Sequence, residues 1–587
     1  MTNNDYRELV VQHKRSGFNW RERRHPDWLE NYMFYRDKVI INRLTQRQSV
    51  NLPLMKSAIH TLMKDIDDAP LLFFKSLDND EQKEVYYNEY WKDMWAENRG
   101  TIKDIVDKKQ VMLFGRSFKK LNIVNGLVTF EIIDPQDVLV DRYVDPTNLD
   151  TARFLIHQHI YKPLSSLGTM DALDQDAVKR LQKYYLSEEG LLKSEENAED
   201  MIEKNQRMEA MGVQDMMTPE LGEAYVELNE AYIKVWNEKL QEDEIIYIII
   251  ADEREVLLAK PLQEVIGETV DSYWLNHFPY TTWGADVERT DFWSDAPADT
   301  LRTPNKVLNS WMSQLIENRT LRNYGMQFYN ASVEGFVPQT YDPGPFAWIP
   351  VPGKPSEVMQ RVDIPDLSES LDEMSFVMSM AEKASAATAA NQGQVEKNQV
   401  TLGEVQLALN NAKERVKSFS IMYTESWNDF GRKYIKLLEA ADSLVEGRRV
   451  FRKGRHTEKM YSKYITPEMW HSDYGFKCEV KQKTDMDAET VETIQKLQAA
   501  RGFMPMNKTL DAIIKEKALD FANIPLEQKQ AVLEEEKVNM QVQQQMLLNQ
   551  GSMTPQEGEI VPEQPAMPMT PEQEQVPQSQ GRPMPMR

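Results

Sequence analysis

Two histidines are the residues whose types and spacing come nearest to a metal site. His157 and His159 lie two positions apart in TARFLIHQHIYKP, a predicted strand, so both side chains should point to one face of that strand. Two imidazoles spaced in this way supply ligands to many metal sites. A metal site needs further ligands, however, and no cysteine, histidine or carboxylate lies at a spacing that would supply them. The pair is therefore more consistent with two surface histidines than with a metal centre.

Five aspartates follow closely after this chain's predicted hairpin: Asp134, Asp137, Asp141, Asp145 and Asp150. A calcium-binding loop needs alternating ligands and a central glycine, which this segment lacks. Asp134 and Asp145 each precede a proline, as turn residues often do. Turn formation therefore explains the five aspartates better than a calcium site does. A metal-dependent nuclease that uses these aspartates with magnesium is a remote alternative.

Motifs for covalent or phosphate chemistry are absent from the sequence. There is no G-x-x-x-x-G-K-[ST] segment, and the nearest glycine-rich text, FGRSFKK, has one glycine. No serine lies in a G-x-S-x-G segment, and Cys478 on a predicted strand is expected to be a small buried hydrophobe. We therefore predict that the protein is not an enzyme and uses no cofactor.

The composition is that of a large, acidic, folded protein. The 587 residues contain 69 Lys plus Arg against 93 Asp plus Glu, a formal net charge of −24. Such a protein cannot hold nucleic acid by general neutralisation of phosphates, so any contact with DNA must be loose or local. The single cysteine excludes an internal disulfide, no secretory signal is visible, and no apolar run approaches the roughly 20 residues of a membrane span. These features favour a reducing cytoplasm.

The pattern of apolar residues predicts an α+β protein that is mainly helical. An aromatic stripe that begins at Trp28 predicts one helix, and residues 85–114 predict a second that ends at Gly115. The Asn125-Gly126 pair lies between two runs rich in Val, Ile and Phe and predicts a β-hairpin. Residues 171–244 are predicted to be an acidic, mostly helical insertion, closed by the β-rich runs AYIKVWNEKL, DEIIYIIIAD and EVLLAKPL.

A long helix is predicted over residues 295–322. Its start is signalled by Ser294 with Pro297 and again by Pro304, so the helix either starts twice or kinks. A proline-rich stretch follows and forbids a helix. A second helix, a segment of small and amide residues, a third long helix and a helical C-terminal region then succeed one another.

This order of elements resembles the portal proteins of tailed bacteriophages, most closely those of short-tailed phages. The resemblance is carried by RQSVNLPLMKSAIHTL, VMLFGRSFKKLNIVNGLVTFEIIDPQDVLVD and HFPYTTWGADVERTDFWSDAPADTLRTPNKVLNSWMSQLIEN, which together span most of residues 40–440. Portal proteins form a ring at one vertex of the phage head, and a separate ATPase drives double-stranded DNA through its channel. The resemblance implies a portal-type fold with wing, stem, clip and crown, assembled as a ring expected to have twelve subunits.

Carried onto this chain, the resemblance implies eight segments. They are the first part of the wing (1–294, with the acidic insertion 171–244), stem helix 1 (295–322), the clip (323–365), stem helix 2 (366–384), the tunnel loop (385–398), the long helix and second part of the wing (399–486), the crown (487–550) and a disordered tail (551–587).

The expected functional residues lie in three of these segments. Those expected to line the DNA channel from the tunnel loop are Asn391, Gln392, Gly393, Gln394, Lys397 and Asn398. Those expected at an interface of the clip are Tyr341, Phe346 and Trp348, and those expected to pack the stem are Val307, Trp311 and Leu315. A continuous helix is the alternative for the tunnel loop, and a small self-contained β core is the alternative for the clip.

The resemblance also implies partners and a location. The partners are further copies of the chain, double-stranded DNA, the terminase packaging motor, the tail adaptor, and the major capsid and scaffolding proteins, with no membrane. The location is the capsid vertex of the virion, after assembly in the host cytoplasm. Another phage head-to-tail adaptor or collar ring is the alternative, although such proteins are usually too short to hold two stem helices, a clip and a crown.

Overall fold

A computed structural model shows an α+β chain, as the sequence predicts. The structure describes residues 2–37, 50–66, 71–77, 80–124, 126–170, 172–187, 189–190, 192–194, 197, 224–267, 272–323, 327–330, 332, 334, 354–361, 370–385, 402–440, 448–453, 460–466, 476–481, 495–498 and 514. Nearly all of them belong to one unit, Met1–Lys453 with Glu458–Lys496. Of the other unit, Gly454–Thr457 with Leu497–Arg587, only residues 497, 498 and 514 are described.

The helices and strands in this part of the chain alternate along much of its length. The helices are α1 (Asn3–Arg21), α2 (His25–Tyr35), α3 (Leu54–Asp65), α4 (Glu81–Glu97), α5 (Gly100–Phe114), α6 (Leu164–Leu167), α7 (Gln175–Tyr185), α8 (Leu262–Ile266), α9 (Pro297–Asn323), α10 (Pro355–Val358), α11 (Ser370–Ser385) and α12 (Leu402–Ala440). The strands are β1 (Leu71–Ser76), β2 (Arg116–Val124), β3 (Leu127–Ile133), β4 (Val138–Val140), β5 (Phe154–Pro163), β6 (Tyr225–Asn237), β7 (Glu242–Ala251), β8 (Glu255–Pro261), β9 (Tyr280–Gly284), β10 (Gln327–Tyr329), β11 (Met359–Arg361), β12 (Arg448–Lys453), β13 (Met460–Ile465) and β14 (Phe476–Lys481).

The strands form antiparallel sheets. The largest has the order β4-β5-β6-β7-β8, and a second has the order β3-β2-β9. The remaining strands pair as β1 with β14, β10 with β11 and β12 with β13. The predicted hairpin is confirmed, because β2 pairs with β3 as far as Val124 opposite Leu127. β7 lies between β6 and β8, and its Ile245, Ile248 and Ile250 are buried, which explains the unbroken apolar run in this strand.

An aromatic cluster fixes the segment that leads into α9. The Trp28 ring on α2 lies 5.3 Å from the Trp293 ring and 6.1 Å from the Phe114 ring of α5. Phe118 on β2 also approaches Trp293, with 6.0 Å between ring centroids. All of these rings are buried. The start of α9 is therefore held in the core by aromatic contacts to α2 and β2.

The predicted helix over residues 85–114 is wrong as a single element. The chain forms α4 and α5, separated by Arg99, whose φ of +52° is left-handed. The Asn98 side chain donates to the Met94 carbonyl at the end of α4 and to the Val128 carbonyl on β3. These bonds end one helix and tie the break to the sheet, a contact that local sequence does not reveal.

The prediction that residues 171–244 are mostly helical is wrong for the end of this segment. The described helix α7 stops at Tyr185, and β6 begins at Tyr225 and pairs with both β5 and β7. The three β-rich runs are confirmed as β6, β7 and β8, but β6 starts before the first of them. Alternation of apolar and polar residues in YVELNEAYIKVW outweighs the acidic composition that favoured helix.

Gly115→Ala is expected to lower the free energy of unfolding by about 3 kcal/mol. Gly115 ends α5 with φ +80°, and a Cβ there would overlap the Ser294 carbonyl oxygen, which belongs to backbone and cannot turn aside. Gly168→Ala is the matched control, since its nearest neighbour atom would lie 3.5 Å from the new Cβ. Urea titration of both variants checks this, and equal midpoints would contradict it.

Candidate functional site

The first half of α9 is anchored in the core. Ala298, Leu301 and Leu308 are fully buried at helical spacing, and Asn305 and Asn309 lie buried on the same side. The Asn309 side-chain oxygen accepts a hydrogen bond of 2.8 Å from the backbone N–H of Leu52. This half of the helix is therefore an integral part of the folded body.

Ion pairs fix the flank of α9 against α2. Arg302 bonds to Asp27 and lies 3.2 Å from Asp299, while Lys306 lies 2.6 Å from Glu30. Burial lowers the pKa of Arg302, but the hydrogen bond to Asp27 and the surrounding carboxylates outweigh it, so the net pKa is raised. These contacts set the direction in which α9 leaves the core.

Pro304 lies inside α9, which is a single helix from Pro297 to Asn323. Of the two outcomes that the sequence allowed, a second helix start is therefore wrong. Pro304 has no N–H and leaves the carbonyl four residues earlier without its helical donor. The next residue, Asn305, is fully buried, and neither atom of its amide has a hydrogen-bond partner among the described residues. This turn therefore lacks one helical hydrogen bond and holds a buried amide without a described partner.

The second half of α9 extends beyond the core and packs along α11. Val307, Trp311 and Leu315 are half-buried. On α11 the described buried residues are Met374 and Ala381, seven positions apart and so on one side of the helix. The segment that connects these two helices contains β10, α10 and β11 and corresponds to the predicted clip. We call the two helices the α9–α11 pair.

α11 carries a second apolar side that the described residues do not cover. Leu371 is 49%, Phe376 66%, Met378 40% and Met380 55% exposed. At about 100° per residue, Phe376 and Met380 lie roughly 200° and 240° around the helix from Met374, whereas Leu371 and Met378 lie at the edge of the buried side. We call Phe376 and Met380 the α11 outer face. A helix that is apolar on both sides requires cover from more than one neighbour.

Most of the other predicted site residues lie outside the described residues. These are the clip aromatics Tyr341, Phe346 and Trp348 and the tunnel-loop residues Asn391, Gln392, Gly393, Gln394, Lys397 and Asn398. The described ends of the predicted clip pair with each other, as β10 with β11 in antiparallel register. Ser385, the first residue of the predicted tunnel loop, is the last residue of α11. Almost all of the predicted crown and the whole predicted tail also lie outside.

A buried cluster of charged residues joins α5, β2 and α12, and sequence reasoning missed it. Lys119 has no exposed side-chain surface, and its Nζ lies 3.1 Å from Asp107 Oδ2. Lys119 also donates to Ser426 Oγ at 3.0 Å, and Trp283 Nε1 donates to Asp107 Oδ2 at 2.9 Å. Burial lowers the pKa of Lys119, and the charge of Asp107 opposes that shift. The cluster ties two helices and two strands together.

A second ion pair lies one turn away on α5. Asp104 Oδ2 is 2.9 Å from Lys108 Nζ, and the other carboxylate oxygen, Oδ1, accepts a hydrogen bond from the Tyr423 hydroxyl. Burial raises the pKa of the Asp104 carboxyl, although Lys108 and Tyr423 both lower it. The outer side of α5 shows the reverse polarity, because Ile102 and Ile105 are exposed. In α5 the polar residues Asp104, Asp107 and Lys108 are buried while apolar residues face outward. The sequence signal for this arrangement was the placement of these three polar residues among apolar neighbours.

The Ser426–Lys119 contact has the composition of a serine–lysine catalytic pair, but its bonding does not fit one. Lysine must be neutral to accept the serine proton, whereas Asp107 stabilises the charged form of Lys119. Ser426 Oγ donates its proton to the Tyr423 carbonyl at 2.8 Å. The pair therefore has a structural explanation.

Several of the histidines and aspartates that opened the sequence analysis form turns and local pairs, whereas Asp150 lies 2.8 Å from Lys433 on α12. The β5–β6 register shifts between His157 and Ile160, and His159 has φ +57°, so the prediction that both histidines share one face of a regular strand is wrong. His159 Nδ1 instead lies 3.1 Å from Asp137 Oδ1. Asp134 and Asp145 accept hydrogen bonds from backbone N–H groups two residues on, which confirms their role in turns.

Within the described ranges there is no group of three or more His, Cys, Asp or Glu that could hold a metal ion. Those ranges also contain no helix with the length and apolar character needed to cross a membrane. Comparison with protein-family models and with curated proteins found no match to the chain.

Proposed function

We propose that the chain is the subunit of a portal-type ring at the capsid vertex of a phage virion. The ring would form the channel through which double-stranded DNA enters and leaves the head. It would also provide the docking site for the terminase packaging motor, the tail adaptor, and the capsid and scaffolding proteins. In this proposal α9 and α11 are the stem helices, the segment between them is the clip, and the protein has no enzymatic activity.

The observation that carries the proposal is the exposed α11 outer face on a helix pair whose base is fixed in the core. Phe376 and Met380 are 66% and 55% exposed, too much for them to contribute fully to the stability of one chain. Repetition of the chain around an axis would cover this face with the next copy at every position. A rigid base, set by Arg302 and its carboxylates, would hold every copy at the same angle.

The charge of the chain supports a conduit. At −24 the protein carries too much negative charge to retain DNA by phosphate neutralisation, and DNA must slide in a packaging channel. An adaptor or collar ring is the alternative, and the same exposed face would suit it. The length of 587 residues and the presence of two long helices with an intervening segment favour the portal.

The purified full-length protein is expected to form closed rings with a central channel. Negative-stain electron microscopy checks the ring, and native mass spectrometry checks the subunit number, for which we expect twelve. Incubation with ATP should give no hydrolysis above that of a mock preparation, because the packaging motor is a separate chain. A protein that stays monomeric at all salt and protein concentrations would contradict the proposal.

A further inference from the structure

A cavity of about 660 Å³ lies between α12, the end of β9 and the loop at residues 146–150. Its size is within the range of about 300–1,000 Å³ that holds small organic ligands. Aromatic side chains form part of its wall, among them Tyr273, Trp283 and Phe476. Arg116 also lines it, and we call it the Arg116 cavity.

Arg116 is a cation that the fold holds in place at this cavity. Its side chain is 1% exposed, and its Cζ lies 3.9 Å from the centre of the Phe292 ring. Nε donates to the Phe292 carbonyl, and Nη2 donates to the Pro146 carbonyl at 2.7 Å. The hydrogen bonds that the described residues make with the guanidinium use Nε and Nη2, and none of them uses Nη1. The guanidinium is thus oriented by backbone groups, and donor capacity remains unused.

Arg116 differs from the other buried cations of the described residues. Each of those has a carboxylate within 4.0 Å: Arg21 with Glu22, Lys108 with Asp104, Lys119 with Asp107, Lys120 with Glu230 and Lys433 with Asp150. Arg116 has no carboxylate within that distance in the described part of the chain. The charge of Asp291 acts on Arg116 only from beyond 4.0 Å, and a buried charge without a direct counter-ion is costly, so an anion supplied from outside would be stabilised here.

The carboxylates that also line the cavity restrict the kind of anion. Asp150 lies 2.8 Å from Lys433, Asp429 lies 3.7 Å from Lys433, and Glu425 lies 3.2 Å from Arg432. In these pairs three carboxylates face two cations, so one negative charge is in excess and would repel an anion with two or more negative charges more strongly than an anion with one. A single negative charge attached to an apolar body suits both Arg116 and the aromatic wall.

We propose that the Arg116 cavity binds a monocarboxylate, whose carboxylate accepts hydrogen bonds from the Arg116 guanidinium and whose apolar part contacts Tyr273 and Trp283. The carboxylate belongs either to a free organic acid or to an Asp or Glu side chain of another protein chain. This binding does not depend on the portal function. Burial lowers the pKa of Arg116 to about 9, so the guanidinium stays charged at neutral pH and available to the anion.

Isothermal titration of the full-length protein with phenylacetate tests the proposal. Phenylacetamide, which has the same shape without the charge, is expected to bind at least ten-fold more weakly, and inorganic phosphate likewise. Arg116→Met should weaken phenylacetate binding at least ten-fold. Phosphate that binds as tightly as phenylacetate, or an amide that binds as tightly as the acid, would overturn the assignment.

Two further variants make the test independent of how Arg116→Met folds. Arg254→Met is the matched control, because Arg254 also lies over an aromatic ring, that of Tyr184, but is paired with Glu189 at 3.1 Å. It should leave phenylacetate binding unchanged. Val287→Phe places a larger side chain at the cavity and should abolish binding without touching the Arg116 hydrogen bonds. Full affinity in Val287→Phe would overturn the proposal.

Size-exclusion chromatography with and without phenylacetate distinguishes the two sources of the carboxylate. If an acidic side chain of another chain occupies the cavity, saturating phenylacetate and Arg116→Met should both shift the protein to smaller species. If the ligand is a free acid, phenylacetate should bind while the oligomer size stays the same. No phenylacetate binding by the wild-type protein, together with an unchanged oligomer size in Arg116→Met, would count against a carboxylate site altogether.

Discussion

Lys119→Met is expected to lower the free energy of unfolding by about 3–5 kcal/mol, the largest stability effect that we predict for one substitution. Methionine fills much of the space of the lysine stem, so the loss comes from the charge. Asp107, whose carboxylate lies 3.1 Å from Lys119 Nζ, would remain buried with only the Trp283 N–H as its described donor. Because the cluster ties α5 and β2 to α12, the whole body should unfold at lower denaturant concentration.

Two controls separate the charge from the packing. Asp107→Leu combined with Lys119→Met removes both charges and should be less destabilising than Lys119→Met alone. Ser426→Ala removes only a hydroxyl partner of Lys119 and should cost about 1 kcal/mol. Guanidinium titration followed by tryptophan fluorescence measures all three variants. A double variant less stable than Lys119→Met would show that packing, and not the unpaired carboxylate, determines the loss.

Local periodicity was enough to predict several elements. The β2–β3 hairpin, the long helix α9, the helix α12 and the C-cap at Gly115 all follow from residues close in sequence. The break between α4 and α5 was missed because Asn98 reaches a carbonyl on β3, thirty residues away. The helical prediction failed at β6 because acidic composition was weighed above alternation of apolar residues.

The site is less accessible to sequence reasoning than the fold. Apolar spacing selected Val307, Trp311 and Leu315 on α9, which are half-buried, whereas the fully buried positions include Asn305 and Asn309. Polar residues in a helix interior break the usual link between apolar spacing and burial. The isolation of Arg116 from carboxylates likewise depends on which distant chains surround it. Such properties emerge only from tertiary packing.

Phe376→Asp with Met380→Asp is expected to abolish ring formation while each chain stays folded. Both residues belong to the α11 outer face, with 66% and 55% of their surface exposed, so charge there costs a single chain little. At a subunit interface the two apolar side chains should contribute about 2–3 kcal/mol, and the substituted carboxylates would add a desolvation penalty. A loss of about 3 kcal/mol weakens each contact roughly 100-fold, and a closed ring repeats the loss at every contact.

Glu373→Gln is the matched control, because Glu373 is also exposed on α11 but is polar. It should leave the rings intact. Met374→Ala gives the opposite contrast, since Met374 is 4% exposed and its loss should lower the unfolding midpoint of the chain more than ring cohesion. Electron microscopy counts rings, and circular dichroism verifies that the variants are folded. Rings that persist in the double aspartate variant would show that another surface joins the subunits, because carboxylates at Phe376 and Met380 are incompatible with an apolar contact between copies.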